Sequence, residues 1–239
     1  MKSIGMACTA VALLALTGCE STTRIEARDQ SAFLPNLKAS FNFGKGVDAP
    51  SRPQSGHGIE VEATRGKGSD SQTLSAADLP IRLGGQDFPA PQQLRHNFTF
   101  TYADVAWRWR RFFGEGAVGL EVLAGVAHAA VDLTTTSPSP LQASERFSTR
   151  GVQGGVGVVW RTGSGTSVQL RATEFASSRL GVNRASRAEV FLNQALASNV
   201  TARIGYTGWE VHGDSLSSSS DFRLRFSGPS VGLQFDLGP

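Results

Sequence analysis

The sequence predicts an all-β fold: an antiparallel, up-and-down barrel of eight strands, with ten strands as the second possibility. Three observations carry this. Apolar and polar residues alternate with period two through most of the chain after about residue 57, the spacing that sends successive side chains to opposite faces of a strand. The 27 glycines, against only 2 methionines, suit strands and turns better than packed helices. Connectors alternate between short and long, as in a chain of strands that each return beside the last.

Taken in order, segment 58–65 sets Ile59, Val61 and Ala63 against Glu60, Glu62 and Thr64. Segment 96–109 sets Phe98, Phe100 and Tyr102 against Asn97, Thr99 and Thr101, then changes phase so that Val105, Trp107 and Trp109 are the apolar set. A bulge near Asp104 would produce that flip. Segment 116–133 opposes Val118, Leu120, Val122, Ala124 and Val126 to Gly119, Glu121 and Gly125. Segments 148–161, 165–175, 187–196 and 199–211 repeat the pattern. In 221–237, Leu224 and Phe226 give way to a new phase, Val231, Leu233, Phe235 and Leu237, with Gly228-Pro229 at the break. Segments 38–44 and 79–83 supply the two further strands of the ten-strand version. Eight are preferred, because ten require a connection of about a dozen residues at the end where turns are short.

The chain carries a net charge of +3 from 23 basic and 20 acidic residues, too even a balance for a nucleic-acid-binding face. At the start, Lys2 precedes the apolar run from Met6 to Leu16, which has the form of an export signal and is too short to cross a bilayer as a helix. The division expected is therefore a leader over 1–18, a tether over 19–56 and the barrel over 57–239. Of the two cysteines, Cys8 lies in the leader and only Cys19 remains, so no intramolecular disulfide or thiol metal site is expected.

Alternation alone suits a soluble barrel as well as a membrane one, so the placement of aromatics and charges has to decide. Trp107, Trp109, Phe112, Phe113 and Trp160 fall beside the short turns at 110–115 and 162–164, whereas Phe98, Tyr206, Trp209 and Phe222 fall toward the longer connectors. Two interfacial girdles of a membrane barrel would be arranged so. Its polar face would then point inward. That inward set is Glu60, Glu62, Glu121, Arg171, Glu189, Arg203, Arg223, Arg225 and Asp236, with both signs present for pairing. Gly119, Gly125, Gly155 and Gly157 lie in the same phase and leave room for long side chains. The longer connectors, 66–95, 134–147, 176–186 and 212–220, would face outward and the short ones the periplasm. With eight strands both ends of the barrel are periplasmic.

Two resemblances follow from these residues. Leu16-Thr17-Gly18-Cys19 resembles the bacterial lipobox, which implies cleavage before Cys19, acylation of that cysteine (palmitate or a similar chain) and, with Glu20 rather than aspartate next, sorting to the outer membrane. From about residue 58 to the end, the alternating strands and the terminal Val231-x-Leu233-x-Phe235-x-Leu237 look like the small outer-membrane barrel family, the OmpA-type or OmpX-type transmembrane domain. Gly238-Pro239 follows where that family has an aromatic residue. The resemblance implies membrane lipids, lipopolysaccharide and the barrel-assembly and lipoprotein-sorting machineries as partners; no cofactor, metal or nucleic acid is expected.

No catalytic centre is expected. His96, His128 and His212 read as solvated histidines near the outer rim rather than a metal cluster. His128, Ser148 and Glu174 share the outward phase near the outer ends of three consecutive strands, the best arrangement for lipid A deacylation. The histidine-x-serine spacing of such enzymes is missing, because Ala129 and Ala130 follow His128. Arg108, Arg110 and Arg111 read as a solvated turn at the interface. The function expected is a non-enzymatic outer-membrane lipoprotein with a structural or surface-interaction role. The alternatives are a lipid-tethered soluble barrel for a small apolar ligand and, behind it, a lipid A-modifying enzyme.

Overall fold

A computed structural model describes residues 24–43, 55–113, 117–163, 165–214 and 220–237. The leader and Cys19 lie outside them. The described chain is all-β, with twelve strands and no helix. They are β1 (Ile25–Asp29), β2 (Asn36–Phe43), β3 (Gly56–Leu74), β4 (Ile81–Leu83), β5 (Gln86–Phe88), β6 (Gln92–Phe113), β7 (Val118–Thr136), β8 (Gln142–Gly163), β9 (Thr166–Ala176), β10 (Gly181–Ala197), β11 (Val200–Asp214) and β12 (Phe222–Leu237). All eight predicted strands are present as β3 and β6 to β12. Ten strands form one large, mostly antiparallel sheet in the order β1-β12-β11-β10-β9-β8-β7-β6-β3-β2, and β12 also pairs with β2, so the pairings return to where they begin.

Two expectations are corrected by the stretch assigned to a tether. Within segment 38–44 the described residues belong to a true strand, β2 (Asn36–Phe43), and β1 precedes it. Both run parallel to β12 and lie end to end along it, Ile25 opposite Phe222 and Asn36 opposite Gly232. On its other side β2 pairs antiparallel with β3. β1 is tied to β3 through side chains: the Arg28 amide donates to Asp70 at 2.7 Å, the Ser69 amide to Asp29 at 3.0 Å, and Gln72 Nε2 to the Arg24 carbonyl at 3.0 Å. Residues 24–43 thus fill one interrupted strand position, a possibility that neither the eight-strand nor the ten-strand count contained. Segment 79–83 also holds a strand, but β4 pairs only with β5 in a separate hairpin. Gly84 and Gly85 make its turn at φ 57° and 78°, left-handed values that a tight two-residue hairpin requires.

Of the longer connectors, 66–95, 134–147 and 176–186 prove to be mostly strand. β3, β6, β7 and β8 run 19 to 22 residues, and the described connection from β9 to β10 is only residues 177–180. One end of the sheet, here the lower, carries Phe43, Phe113, Val118, Trp160 and Leu237. The upper carries Leu74, Thr136, Gln142 and Phe222.

Neither change of phase is a bulge. β6 pairs without interruption from Arg95 to Phe113 with β7, and β12 pairs with β11 straight through Gly228 and Pro229. What changes is the chemistry on each side. In the upper half Phe98, Phe100, Tyr102, Phe147, Phe175, Trp209, Phe222, Leu224 and Phe226 are buried. Phe100 packs on Trp209 at 4.8 Å and Phe147 on Phe222 at 4.6 Å between ring centres. The outer face there is Asn97, Thr101, Asp132, Arg146 and their like. Below the level of Tyr102 the buried face becomes ionic and the outer face apolar, with Val156 61 % and Ile204 60 % exposed. The alternation persists with its polarity inverted.

The β4–β5 hairpin folds over the upper end. Ile81, Leu83 and Phe88 are wholly buried in the aromatic core, the Arg82 amide donates to Ser220 Oγ at 3.1 Å and the Gly84 amide to the Glu145 carboxylate at 2.9 Å.

His96 stands among these upper core residues with no exposed surface, which corrects its placement as a solvated rim histidine. Its ring nitrogens lie 2.9 Å from Thr135 Oγ1 and 3.1 Å from Gln72 Oε1. Burial pushes the imidazole pKa down to about 4, with Asp70 pulling slightly the other way. The unfolded chain takes up a proton near pH 6.5 and the folded one does not until pH 4, so stability falls as the pH drops across that window, by about 3 kcal/mol in all. We expect the unfolding midpoint to fall between pH 7 and pH 4, and to fall less in a His96→Gln variant. An equal fall in both would show that His96 does not carry the effect.

Candidate functional site

The lower half encloses an ionic network built by alternation alone. On β2 Lys38 lies between the outward Leu37 and Ala39, on β3 Glu60 and Glu62 lie between Ile59, Val61 and Ala63, and on β6 Arg108 and Arg110 interleave with Trp107 and Trp109. Glu121 on β7, Arg171 on β9, Arg187 and Glu189 on β10 and Arg203 on β11 complete it. Among the described residues the buried set comprises six cations (Lys38, Arg108, Arg110, Arg171, Arg187, Arg203) and six carboxylates (Glu60, Glu62, Asp104, Glu121, Glu189, Asp236). The two signs are thus present in equal number.

Arg171 is the hub. It meets Glu60 at 2.9 Å and Glu121 at 3.2 Å, with Glu62 at 3.8 Å and Glu189 at 3.9 Å. Glu60 also receives Lys38 at 2.8 Å and Arg108 at 2.9 Å. Arg110 pairs with Glu121, which accepts from Gln169 at 2.7 Å. Arg187 pairs with Glu62, and Arg203 reaches Asn36 at 3.0 Å and Glu189 at 3.7 Å. An unpaired ion in such surroundings costs several kcal/mol, so the dense cross-linking is what makes the interior tolerable. Glycines make the room: a Cβ on Gly157 would sit 2.9 Å from the Glu121 carboxylate. Arg187 joins the two halves, its guanidinium 5.2 Å from the Trp209 ring and 5.7 Å from that of Tyr102.

Of the residues expected to face inward, Glu60, Glu62, Glu121, Arg171, Glu189 and Arg203 do so, as does Asp236. Arg223 and Arg225 do not. They precede the polarity inversion on β12: its odd-numbered positions face outward throughout, and carry apolar side chains below the inversion but arginines above it. There they gather on Glu210: Arg223 Nε donates to it at 2.8 Å, Arg225 Nε lies at 3.3 Å and His212 Nε2 at 2.8 Å. Partial burial works against ionisation of Glu210, but these partners hold its pKa down to about 2.

Among the aromatics, Trp107, Trp109, Trp160 and Tyr206 lie on the outer face as predicted. Trp209 is instead 4 % exposed, inside the upper core with Phe98 and Phe222, because it too lies above the inversion. Arg108 and Arg110, expected at a solvated turn, are buried in the network, and only Arg111 faces out. They were legible in principle, since they alternate with two outward tryptophans.

At the level of the inversion the outer face carries a shallow groove of ≈ 790 Å³, with Ala172, Ala188, Gly208 and Ser227 along its floor. Arg28, Glu174, Glu210 and Arg225 stand along its polar side.

The residues weighed for chemistry do not converge. His128 lies on the outer face of β7 opposite Arg150, Ser148 is opposite Ala130, and Glu174 bonds Arg184 across to β10. Among the described residues no three histidine, cysteine or acidic side chains are grouped to hold a metal. No family model matches the chain, and neither a curated protein nor a solved structure matches it.

Proposed function

We propose that this chain is an integral outer-membrane β-barrel lipoprotein, acylated at Cys19, whose role is structural or surface-presenting. Its lower half spans the bilayer and its upper half stands outside as a stiff platform. The observation that carries the reading is the inversion of polarity at one level of a continuous sheet, because only a change of surrounding solvent makes apolar-out, ionic-in favourable on the same strands that are polar-out, aromatic-in above.

Dimensions support it. The apolar outer band covers about nine residues per strand, for instance Val152 to Trp160 on β8, the length a tilted strand needs to cross hydrocarbon. Trp107, Trp109 and Trp160 near the lower edge suit a headgroup girdle. The return of the pairings to β2 supports closure of the sheet as a barrel, which a bilayer demands because an open edge leaves backbone groups unsatisfied. An interior filled by paired charges below and aromatic rings above leaves no water-filled path, so no pore activity is assigned. Membrane lipids and lipopolysaccharide are the partners, together with the barrel-assembly and lipoprotein-sorting machineries.

A Cys19→Ala variant tests this. It should stay in envelopes washed with carbonate and urea, and migrate faster without boiling than after it. Release by washing would instead mark a soluble barrel held by its lipid, and stepwise conductance in planar bilayers would contradict a filled interior.

A further inference from the structure

We propose that the amino-terminal end of the mature chain emerges on the outer surface of the cell, so that the lipid on Cys19 enters the outer leaflet from outside. The inference rests on the spanning reading above. It reverses the expectation that both ends are periplasmic, which followed from an even count of strands.

The carrying observation is the parallel pairing of β1 with β12. The carboxyl end of β12, Leu237, lies at the lower end among the short turns, and Phe222 at the upper end. Ile25 is opposite Phe222, its amide bonded to the Asp221 carbonyl at 2.8 Å. The chain therefore enters the sheet at the top, descends through β1 and β2 to Phe43 opposite His57, and ascends in β3. Exposed polar atoms surround the entry: Glu26 and Arg28 face outward, and Gln72 holds the Arg24 carbonyl. These are the surroundings of a strand in water, above the apolar band that begins on β12 only at Val231.

Chain length closes the argument. Five peptide steps separate Cys19 from Arg24 and reach at most about 18 Å even when fully extended. The hydrocarbon core is about 30 Å thick, and the level of Arg24 is already well above its upper edge. From there the periplasmic leaflet is out of reach of a lipid on Cys19, and the outer leaflet is the nearer one. The folded sheet thus carries an anchor on the same side as its exposed platform.

Single-cysteine labelling of intact cells with a membrane-impermeant maleimide tests this, using full-length chains carrying Arg24→Cys, Asp78→Cys or Ser198→Cys. Asp78 lies in the upper connection before β4, and Ser198 in the lower turn after β10. Arg24→Cys and Asp78→Cys should label to the same extent, and Ser198→Cys only after the outer membrane is permeabilised. Labelling of Asp78→Cys without Arg24→Cys overturns the inference and leaves the spanning reading standing. Failure to separate Asp78→Cys from Ser198→Cys, or their reversal, removes the orientation and the inference together. The unsubstituted chain completes the set: with Cys19 acylated it has no thiol and stays unlabelled even when denatured, so labelling there overturns the lipid half of the proposal.

Discussion

Replacing Arg171 with methionine should destabilise the folded sheet by about 3 kcal/mol or more, the range for removing one partner of a buried ion pair. The side chain is similar in length and fills most of the same space, so the loss reports charge rather than packing. Glu60 keeps Lys38 and Arg108, but Glu121 is left with Arg110 and Gln169, and Glu62 and Glu189 each lose a nearby cation. One uncompensated negative charge then remains enclosed. Adding Glu121→Gln removes it, and the double variant should be more stable than Arg171→Met alone, a non-additivity expected of residues sharing one network. The measurement is the temperature at which the fast-migrating form in detergent is lost. An Arg171→Met protein with an unchanged transition would mean that the network contributes nothing to the fold.

The second large effect comes from the opposite face. Ile204 points outward from β11 between Leu192 and Val231. On a protein in water, arginine at so exposed a site changes stability by no more than about 0.5 kcal/mol. In hydrocarbon the same change costs about 2–4 kcal/mol near the middle of the bilayer. We therefore expect Ile204→Arg to lower the yield of inserted protein and its unfolding free energy in lipid vesicles. Asn97→Arg, outward but above the inversion, should leave both unchanged. Equal tolerance of the two would argue that Ile204 faces water.

Much of this protein is legible in its sequence. Glu60, Glu62, Glu121, Arg171, Glu189 and Arg203 were assigned to one face by period two alone, and all eight strands predicted from residue 58 onward are present. The errors have one source. Trp209, Phe98, Phe222, Arg223 and Arg225 were placed as though a single rule, apolar outward, held along the whole length of each strand. The sequence suggests a turn from Arg110, whereas β6 continues to Phe113 and keeps Arg108 and Arg110 in its inward register. The Gly84-Gly85 dipeptide was a readable hairpin signal, yet the burial of Ile81, Leu83 and Phe88 over the upper end was not readable from it.

The sequence by itself determined which residues share a face, because side-chain direction along a strand depends only on odd and even position. Only the tertiary structure decided which face is enclosed at each level and where the chain enters the sheet. Both depend on pairing between distant segments, Asn36 with Gly232 and Glu60 with Arg171, and no local pattern encodes whether a strand lies parallel or antiparallel to a partner nearly two hundred residues away.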